Sequence, residues 1–246
     1  MNATASYEIT IVVPVCCQEE SLPELFKAID DYKVQSKLSF CVIFVNDAST
    51  DNSESLIRDY CMRNNEAFFI NLLSRSGLTA SIKAAVDRID SKYVGFLNPD
   101  LLCPIENFDK LHSLMHDAGM ACAEREFPKT PTMRHLIIKA MSAVRRKVTG
   151  DGIYDASCPM KLAKTELIKN MPWFSGTHYL FPALVILKGQ RVTSITVPSC
   201  GEKKKSRHST LLCELIQGSI DLLVFMWMKC RYIDPAVKDD NLLQKK

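Results

Sequence analysis

Over its first hundred residues the chain switches hydrophobic period repeatedly, and that alternation constrains the fold more than any other feature. Residues 9–15 form a continuous β-branched run, whereas residues 21–32 carry Leu22, Leu25, Phe26 and Ile29 at helical spacing. Ser21 and Glu24, with Pro23 in the first turn, spell a capping box where that helix should start. The plan repeats, with strands expected over 40–45, 67–73 and 93–97 and helices over 51–62 and 79–89. Strand and helix in succession imply right-handed crossovers and a mainly parallel central sheet flanked by helices. The fold class is α/β.

The second half is less regular. Helices are expected over 105–118, 132–148 and 177–187, and strands over 120–123 and 190–197. Neither a Gly/Ser linker nor an internal repeat divides the chain, so residues 1–208 are expected to form one domain, followed by a C-terminal amphipathic helix and polar tail over 209–246. The run 211–228 is the most apolar, but Glu214, Gln217 and Asp221 interrupt it, and a hydrocarbon core needs about 20 mostly uncharged residues. Those three lie on one helical face, opposite Leu212, Leu215, Ile216, Leu223 and Trp227. Two readings stand: a terminal helix packed on the core, or an interfacial helix on a membrane with the preceding lysines against anionic lipid.

With 246 residues, 47% of them hydrophobic, the chain can bury a core without metal or disulfide staples. Its 31 Lys plus Arg nearly balance 28 Asp plus Glu, which argues against a nucleic-acid partner. The basic excess is local, at Arg145-Arg146-Lys147 and Lys203-Lys204-Lys205-Ser206-Arg207-His208. Ten cysteines are scattered with no C-x-x-C pair and read as reduced thiols. The N-terminus lacks the basic start and apolar core of a secretory signal, so the expected location is cytoplasmic, with peripheral contact on the cytoplasmic face of a membrane if the last helix lies in an interface.

In an open parallel sheet, ligands bind beyond the carboxyl ends of the strands. Those ends carry Cys16-Cys17-Gln18-Glu19-Glu20, Asn46-Asp47-Ala48-Ser49-Thr50-Asp51, Ser74-Arg75-Ser76-Gly77 and Asn98-Pro99-Asp100. No G-x-G-x-x-G follows the first strand and no P-loop motif occurs. Carboxylates at a sheet edge can instead bond a base or ribose, or hold a hard cation against a diphosphate.

Val12-Val13-Pro14-Val15 through Glu19-Glu20-Ser21-Leu22-Pro23-Glu24-Leu25, then Val42 to Ser53, Leu73-Ser74-Arg75 with the helix after it, Ala123-Glu124-Arg125, Asp155 to Lys161 and Gly189-Gln190-Arg191-Val192 together resemble family 2 nucleotide-sugar glycosyltransferases. The nearest branch resembles the dolichol-phosphate mannose synthase and undecaprenyl-phosphate glycosyltransferase group. The resemblance covers about residues 8–200. It implies a GT-A fold and an inverting transfer from a nucleotide-diphosphate sugar to a polyprenyl phosphate or a glycan precursor, with a divalent metal, magnesium or manganese. By the same resemblance Pro14, Val15, Gln18, Asp47, Arg75 and Asn98 face the nucleotide sugar, Asp100 holds the metal, and Asp155 and Arg125 stand beside the acceptor. Arg125, Arg134, Lys203, Lys205 and Arg207 are the candidate contacts to the acceptor phosphate.

The chain departs from the family pattern in several places. Cys16-Cys17-Gln18 stands where Tyr-Asn-Glu is usual, Asn46 replaces the first acid of an Asp-Asp pair, and Leu102 replaces a polar residue after the metal motif. The metal motif Asn98-Pro99-Asp100 lacks one carboxylate, the loop at Arg75-Ser76-Gly77 is one residue short, and the R-x-x-G-x-S-K-Y segment is replaced by Glu202 to Ser209. These departures motivate a second reading, a catalytically weakened relative that binds nucleotide sugar or serves assembly. A lipid-phosphate acceptor, with a second pKa of about 6, is already ionised near neutral pH and needs no strong base. A hydroxyl acceptor would need one, and Asp155 is the candidate.

Overall fold

The computed structural model describes residues 3–100, 103–126, 133–198 and 211–231. Its strands are β1 (Ile9–Val15), β2 (Phe40–Asn46), β3 (Ala67–Asn71), β4 (Tyr93–Phe96), β5 (Met120–Arg125), β6 (Lys161–Lys164) and β7 (Val192–Val197). Its helices are α1 (Leu22–Gln35), α2 (Ser53–Arg63), α3 (Leu78–Val86), α4 (Asn107–Ser113), α5 (Met133–Thr149), α6 (Thr165–Lys169), α7 (Thr177–Leu187) and α8 (Leu211–Arg231). The strands form one sheet in the order β3-β2-β1-β4-β6-β5-β7. All neighbours pair in parallel except β6, which runs antiparallel to both β4 and β5.

Both faces of the sheet are covered, which explains why β1 and β2 read as unbroken apolar runs. Ile9, Ile11, Val13 and Val15 of β1 pack with Leu22, Leu25 and Ile29 of α1, Ile57 of α2 and Phe108 of α4. Val12 points the other way, into a cluster with Ile82 and Val86 of α3, Phe181 and Leu184 of α7, and Phe225 of α8. Successive strands step outward from β1 through β2 to β3, and the chain then returns to place β4 on the opposite side of β1. That reversal opens a crevice at the carboxyl ends of β1 and β4, the position at which such sheets bind ligands.

Three local expectations need correction. Ser21 sits at the start of α1, but its side chain makes no capping bond; the hydroxyl is directed instead to Asp100. Helix α4 is shorter than the expected 105–118. Residues 161–169 hold a strand and a short helix that the sequence reading did not include.

Helix α8 is present; it packs on the core through Phe225, while much of its apolar surface faces outward. Ile216, Ile220, Leu223 and Trp227, spaced by four, three and four residues, are 52%, 54%, 64% and 65% exposed. Phe225 is fully buried, and the Asp221 carboxylate lies against Gly176 in front of α7. No helix among the described residues is long and apolar enough to cross a membrane.

Gly95 of β4 tests the packing under α4. A Cβ there would lie 2.7 Å from Cε1 of Phe108, whose ring is fully buried. Gly95→Ala is expected to lower stability by about 1–3 kcal/mol through overpacking, read as a fall in the urea midpoint at unchanged slope.

Candidate active site

The loops after β1 and β2 are joined backbone to side chain along their length. Cys17 N–H donates to Ser49 Oγ at 3.0 Å, Gln18 N–H to Ser53 Oγ at 3.0 Å, and Glu19 N–H to Asp51 Oδ2 at 3.1 Å. In return Asn52 N–H donates to Glu19 Oε2 at 2.8 Å. Cys17 and Ala48 take left-handed backbone conformations, with φ of 52° and 48°. Non-glycine residues hold such conformations at a cost of about 1–2 kcal/mol, so the surrounding bonds must over-determine both loops.

Asp47 is the centre of this edge. Its N–H donates to Val15 O at 2.8 Å, and its carboxylate accepts Ser76 N–H at 2.7 Å and Gly77 N–H at 2.8 Å. The carboxylate is buried and holds the loop that opens α3. Arg75 is exposed on that loop, close enough for its charge to oppose the burial that pushes the Cys16 thiol up. Asn46 is also buried and fully engaged: its Nδ2 donates to Asn71 Oδ1 at 3.2 Å and its Oδ1 accepts Ser49 N–H at 3.2 Å. An acid at position 46 would lose the donor that Asn71 needs, which accounts for the amide without invoking lost function.

Across the crevice, Asp100 Oδ1 accepts Gln18 Nε2 at 3.1 Å and Ser21 Oγ at 3.3 Å. Asp100 Oδ2 has no partner among the described residues. Val15 is buried, while Pro14 and Asn98 are half-buried at the ends of β1 and just past β4. Among the described residues no group of three His, Cys, Asp or Glu side chains is arranged to hold a metal. Magnesium-type sites commonly use one or two carboxylates and complete their shell with substrate phosphates and water. Asp100, with one oxygen positioned by two donors and the other available, fits that pattern as a single carboxylate ligand.

At the end of β5, Arg125 and Asp155 form a bidentate pair. Nε donates to Oδ2 at 2.6 Å and Nη2 to Oδ1 at 3.0 Å. Ser157 Oγ accepts from Arg125 Nη2 at 2.8 Å and donates to Asp155 Oδ1 at 2.6 Å. Burial alone would raise the Asp155 pKa, but the hydrogen bonds and charge of Arg125 overcome it and hold the carboxyl below its usual range. Lys161 is buried behind this pair, its ammonium donating to Ala156 O and Cys158 O. The side chain of Arg134, and Lys203, Lys205 and Arg207 with Leu102, lie outside the described residues.

His178 shares a hydrogen bond with Thr79 Oγ1 through Nδ1 at 2.7 Å. Burial, helped by the charge of Lys161, pushes its pKa down to about 3. Thr79 Oγ1 also accepts Gly176 N–H at 3.1 Å. Thr79, Trp173 and Asp221, which surround this ring's cavity, were not singled out as site residues because none stands in a motif and the contacts are long-range.

The sheet order, the acid-bearing loops at its reversal and the helices on both faces define a GT-A glycosyltransferase domain. The chain belongs to glycosyl transferase family 2, whose sequence profile matches residues 10–171. It is 26% identical over 219 residues to the undecaprenyl-phosphate 4-deoxy-4-formamido-L-arabinose transferase of Proteus mirabilis, covering 88% of this chain and 67% of that one. It is 23% identical over 218 residues to the protein of the same name from Yersinia enterocolitica, covering 88% and 66%. The chain thus spans about two thirds of the length of these relatives. Glucosyl-3-phosphoglycerate synthase of Mycobacterium tuberculosis, solved with UDP, superposes with a TM-score of 0.66 at 16% identity, covering 96% and 84%. A mannosyltransferase from Pyrobaculum calidifontis, solved with GDP-mannose and Mn2+, gives 0.65 at 14%, covering 96% and 67%.

Asp155→Asn leaves a largely buried guanidinium without its counter-charge. The expected loss at pH 7 is about 3 kcal/mol, the low end for a broken buried pair because a quarter of the Arg125 side chain still meets solvent. The depressed carboxyl contributes its full stabilisation above the unfolded value of about 4 and loses it as pH falls through the folded value. Urea unfolding at pH 7, 5 and 3 should therefore show the gap between wild type and Asp155→Asn closing only at the acid end.

Proposed function

We propose that this protein is an inverting glycosyltransferase that moves a sugar from a nucleotide diphosphate to a polyprenyl phosphate. The observation that carries the acceptor class is the engagement of Asp155. Both its oxygens take hydrogen bonds from Arg125 and Ser157, and its carboxyl is held below the usual range, so it is a poor proton acceptor. His178 is no better, since burial pushes its pKa down to about 3. With neither Asp155 nor His178 suited to activate a hydroxyl, the reaction favours a nucleophile already charged at neutral pH, and a phosphate monoester is one. The names of the relatives from Proteus and Yersinia, which specify undecaprenyl phosphate, support the same class.

In this reading the acceptor oxygen displaces the nucleotide diphosphate at the anomeric carbon, with inversion. Gln18 and Ser21 orient Asp100 toward the diphosphate, and the Asp47 clamp shapes the pocket for the nucleoside. The remaining N–H groups of Arg125 offer charge to the incoming phosphate, with Arg134, Lys203, Lys205 and Arg207 as further proposed contacts. Asp100 would hold a divalent ion, magnesium or manganese, which when bound would neutralise charge on the leaving diphosphate. Mn2+ accompanies UDP-glucose or GDP-mannose in structural neighbours, which supports a metal here.

The acceptor lipid requires a membrane surface, and α8 offers one side of a contact. Its exposed stripe of Ile216, Ile220, Leu223 and Trp227 is flanked by exposed Lys147 of α5 and by Lys229 and Arg231, the pattern of a peripheral helix on an anionic surface. We extend the proposal to peripheral attachment at the cytoplasmic face, with residues 1–208 as the transferase domain and the remainder as its attachment segment.

Titration calorimetry with UDP and GDP, with and without Mg2+ or Mn2+, tests the donor site. One diphosphate should bind more tightly with metal, and Asp100→Ala should cut that metal-dependent gain about tenfold, or 1.4 kcal/mol. Absence of binding to either diphosphate in the presence of metal sinks the reading. Flotation with phosphatidylglycerol-containing vesicles tests attachment: wild type should float, and a Leu223→Glu, Trp227→Glu double variant should remain in the dense fraction.

A further inference from the structure

A cavity of about 430 Å³ opens between the start of α3, the segment leading into α7, and α8. It shares Ser76 and Gly77 with the loop that Asp47 clamps, so it adjoins the donor edge of the sheet. Its volume lies within the range of small-ligand sites. Trp173 and Tyr179 supply aromatic surface, and Lys83 lies over the Trp173 ring at 5.9 Å.

The Asp221 carboxylate of α8 has no hydrogen-bond partner among the described residues, and burial pushes its pKa up. Lys83, the nearby cation, is committed to Asp87 at 2.5 Å. The carboxylate reaches this position because residue 176 is glycine. A Cβ at Gly176 would stand 2.4 Å from Asp221 Oδ2, and its φ of +91° is one that side-chain-bearing residues rarely adopt.

A carboxylate without a partner at a cavity wall carries a desolvation cost that a ligand able to donate to it removes. Its charge disfavours a phosphate here, and a hydrocarbon chain would leave it unpaired. Aromatic surface beside a carboxylate matches a sugar ring, whose C–H face packs on aromatics and whose hydroxyl groups donate. We propose that this cavity receives the glycosyl group of the donor, and that Asp221 selects it by accepting a hydrogen bond from a hydroxyl or amino group of the sugar. The proposal rests on the glycosyltransferase reading above and adds a specificity residue on the C-terminal helix.

The test compares bare diphosphates with nucleotide sugars on the full chain, using UDP, UDP-glucose, UDP-galactose, UDP-N-acetylglucosamine, GDP and GDP-mannose in calorimetry. In wild type at least one nucleotide sugar should bind more tightly than its own diphosphate. In Asp221→Ala that gain should fall tenfold or more while affinity for the bare diphosphate stays within twofold. Asp221→Asn, nearly the same shape, should keep the fold, checked by circular dichroism, and alter the ranking of the sugars. The proposal is overturned if no sugar adds affinity in wild type, if both variants keep the gain and the ranking, or if bare-diphosphate affinity falls as much as sugar affinity. Failure of wild type to bind any diphosphate with metal is a different result, which removes the glycosyltransferase reading itself.

Discussion

The carboxylate of Asp47 is the interaction on which the binding edge depends. Its backbone ties β2 to the end of β1, and its two oxygens hold the consecutive N–H groups of Ser76 and Gly77 at the entrance to α3. A buried carboxylate is tolerable there because two donors and the N-terminal end of a helix compensate its charge. The left-handed turn at Ala48 and the positive φ at Gly77 are the conformational consequences of bringing three chain segments to one side chain. Because β4 lies on the far side of β1, the loop carrying Asp100 is free to form the opposite wall, and Gln18 and Ser21 bridge to it.

The pairing of Arg125 with Asp155 constrains the chemistry proposed for the end of β5. A carboxylate that accepts a bidentate guanidinium and a serine hydroxyl is oriented and charged, and it gains little by taking a proton. The same pair keeps the guanidinium in place with part of its donor fork uncommitted, an arrangement better suited to receiving an anion than to activating a neutral hydroxyl. In the proposed reaction, catalysis is a matter of positioning and charge neutralisation.

Helix α8 joins two environments that its composition alone does not separate. Its apolar residues at 216, 220, 223 and 227 face outward, while Phe225 anchors it to the core and Asp221 lines the cavity. Of the polar positions noted in the sequence, Asp221 points inward. An amphipathic pattern specifies two sides of a helix and leaves open which side meets water, since the answer depends on what the partner surface offers. Here that surface is the Gly176 turn, which accommodates a carboxylate only because it lacks a side chain.

The parts of the fold that could be read from sequence are those whose signal is local. Strands β1 and β2 are buried on both faces and announce themselves as apolar runs, and α7 matches its expected bounds. Strand β6 does not: Lys161–Lys164 is only two apolar residues between two lysines, and its identity as a strand comes from pairing between β4 and β5. Ser21 had the right motif for a cap, yet a carboxylate seventy-nine residues away took its hydroxyl. The site shows the same division, because Asp47, Asp100, Arg125 and Asp155 stand in recognisable motifs, whereas the backbone N–H groups that Asp47 holds have no residue signature. Asn46 carries the lesson furthest. As a replaced acid it suggested a weakened site, but beside Asn71 an amide is the only one of the two groups that can both donate across to β3 and accept from Ser49, so the substitution preserves the loop rather than degrading it.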